Sequence, residues 1–281
     1  MAAPFEIAFD GALIRGEADG FGLPVVFLHA ECADRRMWGA QMELLAAEGY
    51  HVMSYDRRGF GATESEDAPF NALIDLETVL DQLSLHAVVL VGCGEGGALA
   101  LDFALDHPER TVGLILVGTT VTGEDPPEFP DEAIVLEDAL DYAAARGHMD
   151  TVNRIEAHLY LDGPLSESGR VSGEVRDLFL DMNGIALNHA DLTDEEERDP
   201  AWTSLGAVSA PTLLVVGELD FPDTVALHEN LSEELETAFA VVLEDCARLA
   251  PLEDPDLFNP LLLEYLEAIS GQADDEDEAE A

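Results

Sequence analysis

Residues 88–100 constrain the fold more than any other stretch, because they hold a buried strand, a sharp turn and the start of a helix in direct succession. Val88-Val89-Leu90-Val91 is a short, apolar, β-branched run of the kind that fills a central parallel strand covered on both faces. Gly92-Cys93-Gly94-Glu95-Gly96-Gly97 follows, and apolar residues then recur at helical spacing over 98–105. Glycines in that density suit a strained turn where strand and helix backbones come close.

The chain on either side repeats the alternation. Strands are expected over 4–9 and 12–17, joined as a hairpin by Asp10-Gly11, and then over 24–29, 52–56, 88–91 and 111–118. Helices are expected between them over 36–47, with Asp34 as cap, and over 73–83. From 122 to 205 no strand candidate occurs, only helical patterns over 133–146, 149–160 and 175–189. Strands return at 211–217 and 239–243, separated by a helix near 224–231, and a helix over 252–269 closes the pattern. The expected fold class is therefore α/β, a mostly parallel central sheet flanked by helices, with a helical cap inserted. The expected division is core over 1–121 and 206–270, cap over 122–205, and a disordered acidic tail over 271–281.

Charge sets the second constraint. The chain has 60 acidic and 12 basic residues, all of the latter arginine, for a formal −48 at 281 residues. No basic stripe exists to meet phosphates, so nucleic acid is excluded as a partner. The acids are spread along the whole length, which favours adaptation to high salt over a dedicated surface for a cationic partner. No apolar run approaches a membrane span and no secretory signal is visible, so no membrane association and a cytoplasmic location are expected. Three cysteines, Cys32, Cys93 and Cys246, fit a reducing compartment; they lack metal-ligand spacing, and neither a metal nor a cofactor is expected.

The stretch 92–97 resembles the nucleophile elbow of the α/β-hydrolase superfamily, G-x-S-x-G and a further glycine. Leu28-His29-Ala30-Glu31 is similar to the family's oxyanion loop, and Tyr55-Asp56-Arg57-Arg58-Gly59-Phe60-Gly61 to its matching turn. Gly217-Glu218-Leu219-Asp220 resembles the G-x-x-D that carries the triad acid, and the segment from Glu244 to Glu253 the one that carries the triad histidine. These motifs stand in family order over roughly residues 5–270, with a flavour close to the 3-oxoadipate enol-lactonase-like branch.

The departures bear on function. The resemblance puts the nucleophile at Gly94, the acid at Asp220 and the base at Arg248, so only the acid keeps its residue type. Cys93 comes one position too early to replace the serine, Glu95 would need the elbow to shift, and His228 falls in a helix rather than in the base's loop. Glu31 and Glu95 put carboxylates where an oxyanion would develop, which opposes that chemistry. Arg248 is expected to pair with Asp220 or a glutamate. The remaining candidate ligand contacts are His29, Ala30, Glu31, Cys93 and Glu95. The expectation is a degenerate hydrolase, inactive as a serine enzyme, whose cleft binds a small ligand or a protein partner. Two alternatives stand beside it: an acid–base enzyme using pocket carboxylates, and an ester or lactone hydrolase with an unrecognised nucleophile.

Overall fold

Asp10 and Gly11 both take positive φ, 41° and 73°, the left-handed pair that a tight hairpin requires. They close strand β1 (Ala3–Phe9) on β2 (Ala12–Gly20) with Phe9 opposite Ala12. The computed structural model describes residues 2–124, 130–189, 192, 195–196 and 198–280, with side chains described to residue 270. β2 pairs antiparallel with β4 (His51–Tyr55), and a two-residue strand not foreseen from the sequence, β5 (Glu64–Ser65), pairs with β2.

From there the sheet is parallel. Its order is β1-β2-β4-β3-β6-β7-β8-β9, with β3 at Pro24–Leu28, β6 at Val88–Cys93, β7 at Thr111–Val117, β8 at Thr212–Gly217 and β9 at Ala238–Leu243. β3, β6, β7 and β8 carry almost only buried residues, because helices cover both faces. One apolar cluster, including Leu28, Leu90, Leu99 and Leu214, lies on one face; another, including Phe27, Trp38, Val91 and Phe258, lies on the other.

The helix expected over 36–47 divides. Asp34 accepts the Arg36 amide at 2.9 Å and starts a 3-10 turn, Arg35–Trp38, before α1 (Gly39–Ala47). The next helices are α2 (Ala72–Gln82), capped by Asn71, and α3 (Glu95–Asp106). Between β7 and β8 the described residues form α4 (Asp131–Ala144), α5 (Met149–Glu156) and α6 (Glu174–Ala186), with no strand of the main sheet. α5 runs on into a π-helical turn, Ala157–Asp162. This insertion is tied to loops at the ends of β3, β8 and β9. Asp181 pairs with Arg36 at 2.6 Å, Tyr160 packs on Phe221, and Arg170 donates to the Asp245 carbonyl at 2.7 Å. α7 (Pro222–Glu234), α8 (Ala250–Glu253) and α9 (Pro255–Glu280) complete the chain. The bounds of α9 take in the acidic run for which no order was expected; the side chains of that run lie outside those described.

Candidate functional site

The site is built on the turn between β6 and α3. Gly94 takes φ 54° and ψ −122°, a backbone that L side chains rarely adopt. Gly96 lets the first turn of α3 slide against β3, since a Cβ there would overlap the carbonyls of Leu28 and His29. The turn thus presents its amides toward the end of β3 at the C-terminal edge of the sheet.

Glu31, from the loop after β3, fills the space over that turn. A Cβ placed on Gly94 would overlap Glu31 Oε2, the same oxygen that accepts the Glu95 amide at 3.1 Å. The other oxygen, Oε1, accepts from Arg248 Nη1 at 3.0 Å. Burial pushes the Glu31 carboxyl up, but the Arg248 guanidinium and the amides of Glu31 and Glu95 outweigh it and hold the group below its ordinary value. Glu31 is therefore held as a carboxylate, with both oxygens engaged.

Arg248 lies on the loop after β9 and is only 6% exposed. Its Nε donates to Asp220 at 3.2 and 3.3 Å, Nη1 to Glu31, and Nη2 to Thr224 Oγ1 at 2.7 Å. The guanidinium carbon stands 5.4 Å from the Tyr160 ring and 5.3 Å from Phe221, within cation–π range of both. Burial works against its charge, and Asp220 and Glu31 more than restore it, so its pKa is raised. A fixed cation of this kind cannot take a proton from anything. Asp220 follows β8, is buried, and also accepts the Phe221 amide at 2.7 Å. Burial raises its carboxyl pKa although Arg248 and that amide pull it down.

The structure thus brings Gly94, Glu31, Asp220, Arg248 and the amide of Glu95 together. It does not bring in the Glu95 side chain, which is half exposed and turned to Arg57 at 3.3 Å. The Glu95 carboxylate expected near an oxyanion is therefore turned away from the elbow, and only its amide faces Glu31.

Cys93 is fully buried, its Sγ 3.5 Å from the Arg248 carbonyl, and burial pushes its thiol well above the ordinary range. Such a thiol packs rather than attacks. Burial likewise pushes Cys32 well up and Cys246 up to about 12. Among the described residues no group of three or more His, Cys, Asp and Glu is placed to hold a metal ion.

His29 is also fully buried. Its Nδ1 lies 2.8 Å from the Ala30 carbonyl and its Nε2 3.0 Å from the Arg57 amide. That pairing fixes a neutral ring, Nδ1 donating and Nε2 accepting, and burial lowers its pKa well below the usual value. Both nitrogens hold loops in place, so the ring has none left for a ligand. Ala30 is buried too, its carbonyl taken by Ala33 and His29.

Sequence reasoning missed Thr224, Phe221 and Tyr160. The first two follow Asp220 closely, and that proximity was a usable signal. Tyr160 comes from the inserted helices, and no local pattern places it over Arg248. Among the described residues no helix is long and apolar enough to cross a membrane.

Comparison with known proteins agrees with this architecture. The model of the alpha/beta hydrolase family matches residues 25–261. A 2-hydroxy-6-oxononadienedioate/2-hydroxy-6-oxononatrienedioate hydrolase of Klebsiella pneumoniae is 28% identical over 262 residues, 86% of this chain and 86% of that protein. A thermophilic esterase from Thermogutta terrifontis superposes with a TM-score of 0.74 at 26% identity, over 95% of this chain and 99% of the esterase. An N-acyl homoserine lactone degrading enzyme does so with a TM-score of 0.71 at 27% identity, over 92% and 99%. The fold, the order of motifs and these likenesses lead to one conclusion: the chain belongs to the alpha/beta hydrolase family.

Proposed function

We propose that this chain uses the hydrolase fold to bind a small ligand in its cleft and does not turn over esters as a serine enzyme does. One observation carries the reading: the Glu31 carboxylate occupies the space that a side chain on residue 94 would need, and takes the Glu95 amide. In serine hydrolases of this fold, the amide after the nucleophile and one from the loop after the third strand hold the oxyanion. Here Glu95 and Glu31 supply those amides, and both act on the Glu31 carboxylate. A substrate oxyanion would have to displace a clamped anion first. Arg248 stands where the family has its base and is a permanent cation. Losing the nucleophile or base of such a triad alone costs on the order of 10⁶ in turnover. A general acid–base role is not favoured, because Glu31 is a weakened base and Glu95 faces outward.

A second reading has one observation in its favour. Glu31 puts an ionised carboxylate over the turn that resembles the nucleophile elbow of the fold, and the similar structures include an esterase and a lactone-degrading enzyme. Attack by Glu31 on an ester or lactone carbonyl would expel the alkoxide, protonated by water, and leave a mixed anhydride for a second water to cleave.

Ester and enol-lactone hydrolysis in molar KCl tests both. The comparison needs wild type, Glu31→Gln, and a triple variant Gly94→Ser/Arg248→His/Glu31→Gly, since Glu31 would block a serine introduced alone. A silent wild type beside an active triple variant is the expected result. Wild-type turnover that Glu31→Gln abolishes would replace the first reading with the second. Turnover that survives Glu31→Gln would overturn both.

A further inference from the structure

β1 and β9 end the sheet, and the two edges differ. An unpaired edge is a row of free N–H and C=O groups that another strand can extend, and proteins blunt it with proline, charge or a bulge. β1 carries Pro4 and Glu6. β9 reads Ala-Phe-Ala-Val-Val-Leu, with neither proline nor charge, and keeps an unbroken register with β8 from Ala238 to Leu243. In a chain where 26% of residues are charged, β9 instead exposes Ala240, Phe239 (67%) and Val242 (53%). Among the described residues no strand pairs with its outer side.

The pairing with β8 decides which backbone groups are free. The Thr237 carbonyl accepts from the Thr212 amide at 3.2 Å and the Leu243 carbonyl from the Glu218 amide at 2.9 Å, so the odd-numbered residues turn toward β8. Backbone direction alternates along a strand, which leaves Ala240 and Val242 with amide and carbonyl directed outward. Ala238 offers its carbonyl only, since its amide donates to Leu235. Two copies of such an edge pair antiparallel about a two-fold axis normal to the sheet, which keeps each face of the sheet continuous. With the axis at Ala240, the two Ala240 residues exchange hydrogen bonds, and each Val242 amide donates to the Ala238 carbonyl of the other copy. Phe239 then lies across from Val241 of the second copy, an aromatic against a β-branched residue.

A second copy is the occupant that lets the assembly close. Pairing uses up both β9 edges and leaves β1, with its proline and glutamate, at each end of the joined sheet. Charge sets the condition. The strand is bounded by Glu236 and Glu244, both exposed, and in this register Glu236 of one copy comes opposite Glu244 of the other. That repulsion, added to the one between two chains of formal charge −48, is relieved by salt.

We propose that β9 is the interface of a salt-dependent homodimer, formed by antiparallel pairing of this strand with the same strand of a second copy. The proposal is independent of what the cleft binds. One short strand pair is small beside a standard interface, so the association is weak and reversible.

Sedimentation equilibrium in KCl at about 0.1 M and about 2 M, with protein up to about 1 mM, reads the assembly state. Monomer at low salt and a reversible dimer at high salt, with nothing larger, are expected. Val242→Pro removes an outward amide that only the dimer uses, and an edge proline costs the monomer no ladder bond. Phe239→Gln removes the cross-strand aromatic without adding charge. Each should weaken the dimer roughly tenfold or more. Phe21→Gln, at a residue 90% exposed between β2 and β3, should leave it unchanged. Amide exchange followed by NMR gives a local readout: the Ala240 and Val242 amides should slow on dimerisation, whereas that of Val241, turned to β8, is slow in both states. Unfolding midpoints check that each variant folds, and the two strand variants are independent tests. Monomer at every salt and protein concentration, a dimer that survives both strand variants, or assemblies larger than two would overturn the proposal.

Discussion

Glu253 sits beneath the loop that carries Arg248, accepting the Ala247 amide at 3.0 Å and pairing with Arg170 at 2.6 Å. Arg170 belongs to the inserted segment, so this carboxylate ties that segment to the loop. Burial nevertheless dominates and pushes its pKa from 4.5 up to about 7. Between those values the folded chain holds a proton that the unfolded chain has released, so stability falls as pH rises through the window and is flat above it. The full amplitude is about 3 kcal/mol. Glu31 works with the opposite sign: its lowered pKa favours folding above the ordinary carboxylate value, and that contribution is lost on acidification. Denaturant unfolding at pH 5 to 7.5 should therefore show wild type gaining on Glu253→Gln as the pH is lowered; parallel profiles would sink the assignment. At this scale the sequence was only partly legible. The resemblance to the family put Asp220 and Arg248 at neighbouring positions, and opposite charge made their pairing foreseeable. That Glu31 reaches across to the elbow, and that Glu95 turns away from it, depends on side-chain direction around one turn, which residue types do not encode.

The elbow is where local strain and tertiary packing meet. Gly94 combines φ 54° with a carboxylate lying where its Cβ would be, so any side chain there carries both a backbone and a steric cost. Glu31 cannot simply swing aside, because that would break its bonds to the Glu95 amide and Arg248 and leave a buried charge less well paired. Gly94→Ala should destabilise the fold by about 1–3 kcal/mol, and by clearly less in a Glu31→Gly background, where only the backbone strain persists. A double-mutant cycle on unfolding free energies measures this; additive costs would show that Glu31 does not occupy the turn. Elements such as β6, with its unbroken apolar run, are readable because burial on both faces demands that composition. The 3-10 turn before α1, the π-helical turn after α5 and the two-residue β5 are not, since packing rather than period sets them.

Across the whole molecule, charge repulsion works against the compact state. Twelve arginines cannot neutralise 60 acids, and most of the described ion pairs tie up those arginines at structural positions such as Arg58–Asp75, Arg176–Asp162 and Arg248–Asp220. The remaining carboxylates repel one another across a compact surface, and unfolding relieves that repulsion by spreading the chain. Salt screens the repulsion over the Debye length, which shrinks from about 10 Å at 0.1 M to about 3 Å at 1 M. The unfolding midpoint should accordingly climb with KCl, steeply below 1 M and weakly beyond it. Burial strengthened by excluded salts would instead keep rising with concentration and would be greater for sulfate than for chloride. Substituting the exposed acids of α4, Glu132→Gln, Asp138→Asn and Asp141→Asn, removes three negative charges without touching the core. That variant should be more stable than wild type at 0.1 M KCl, and the difference should close by 2 M. A constant difference would mean that the substitutions act through helix propensity, and a midpoint indifferent to KCl would mean that surface repulsion does not limit the stability of this fold.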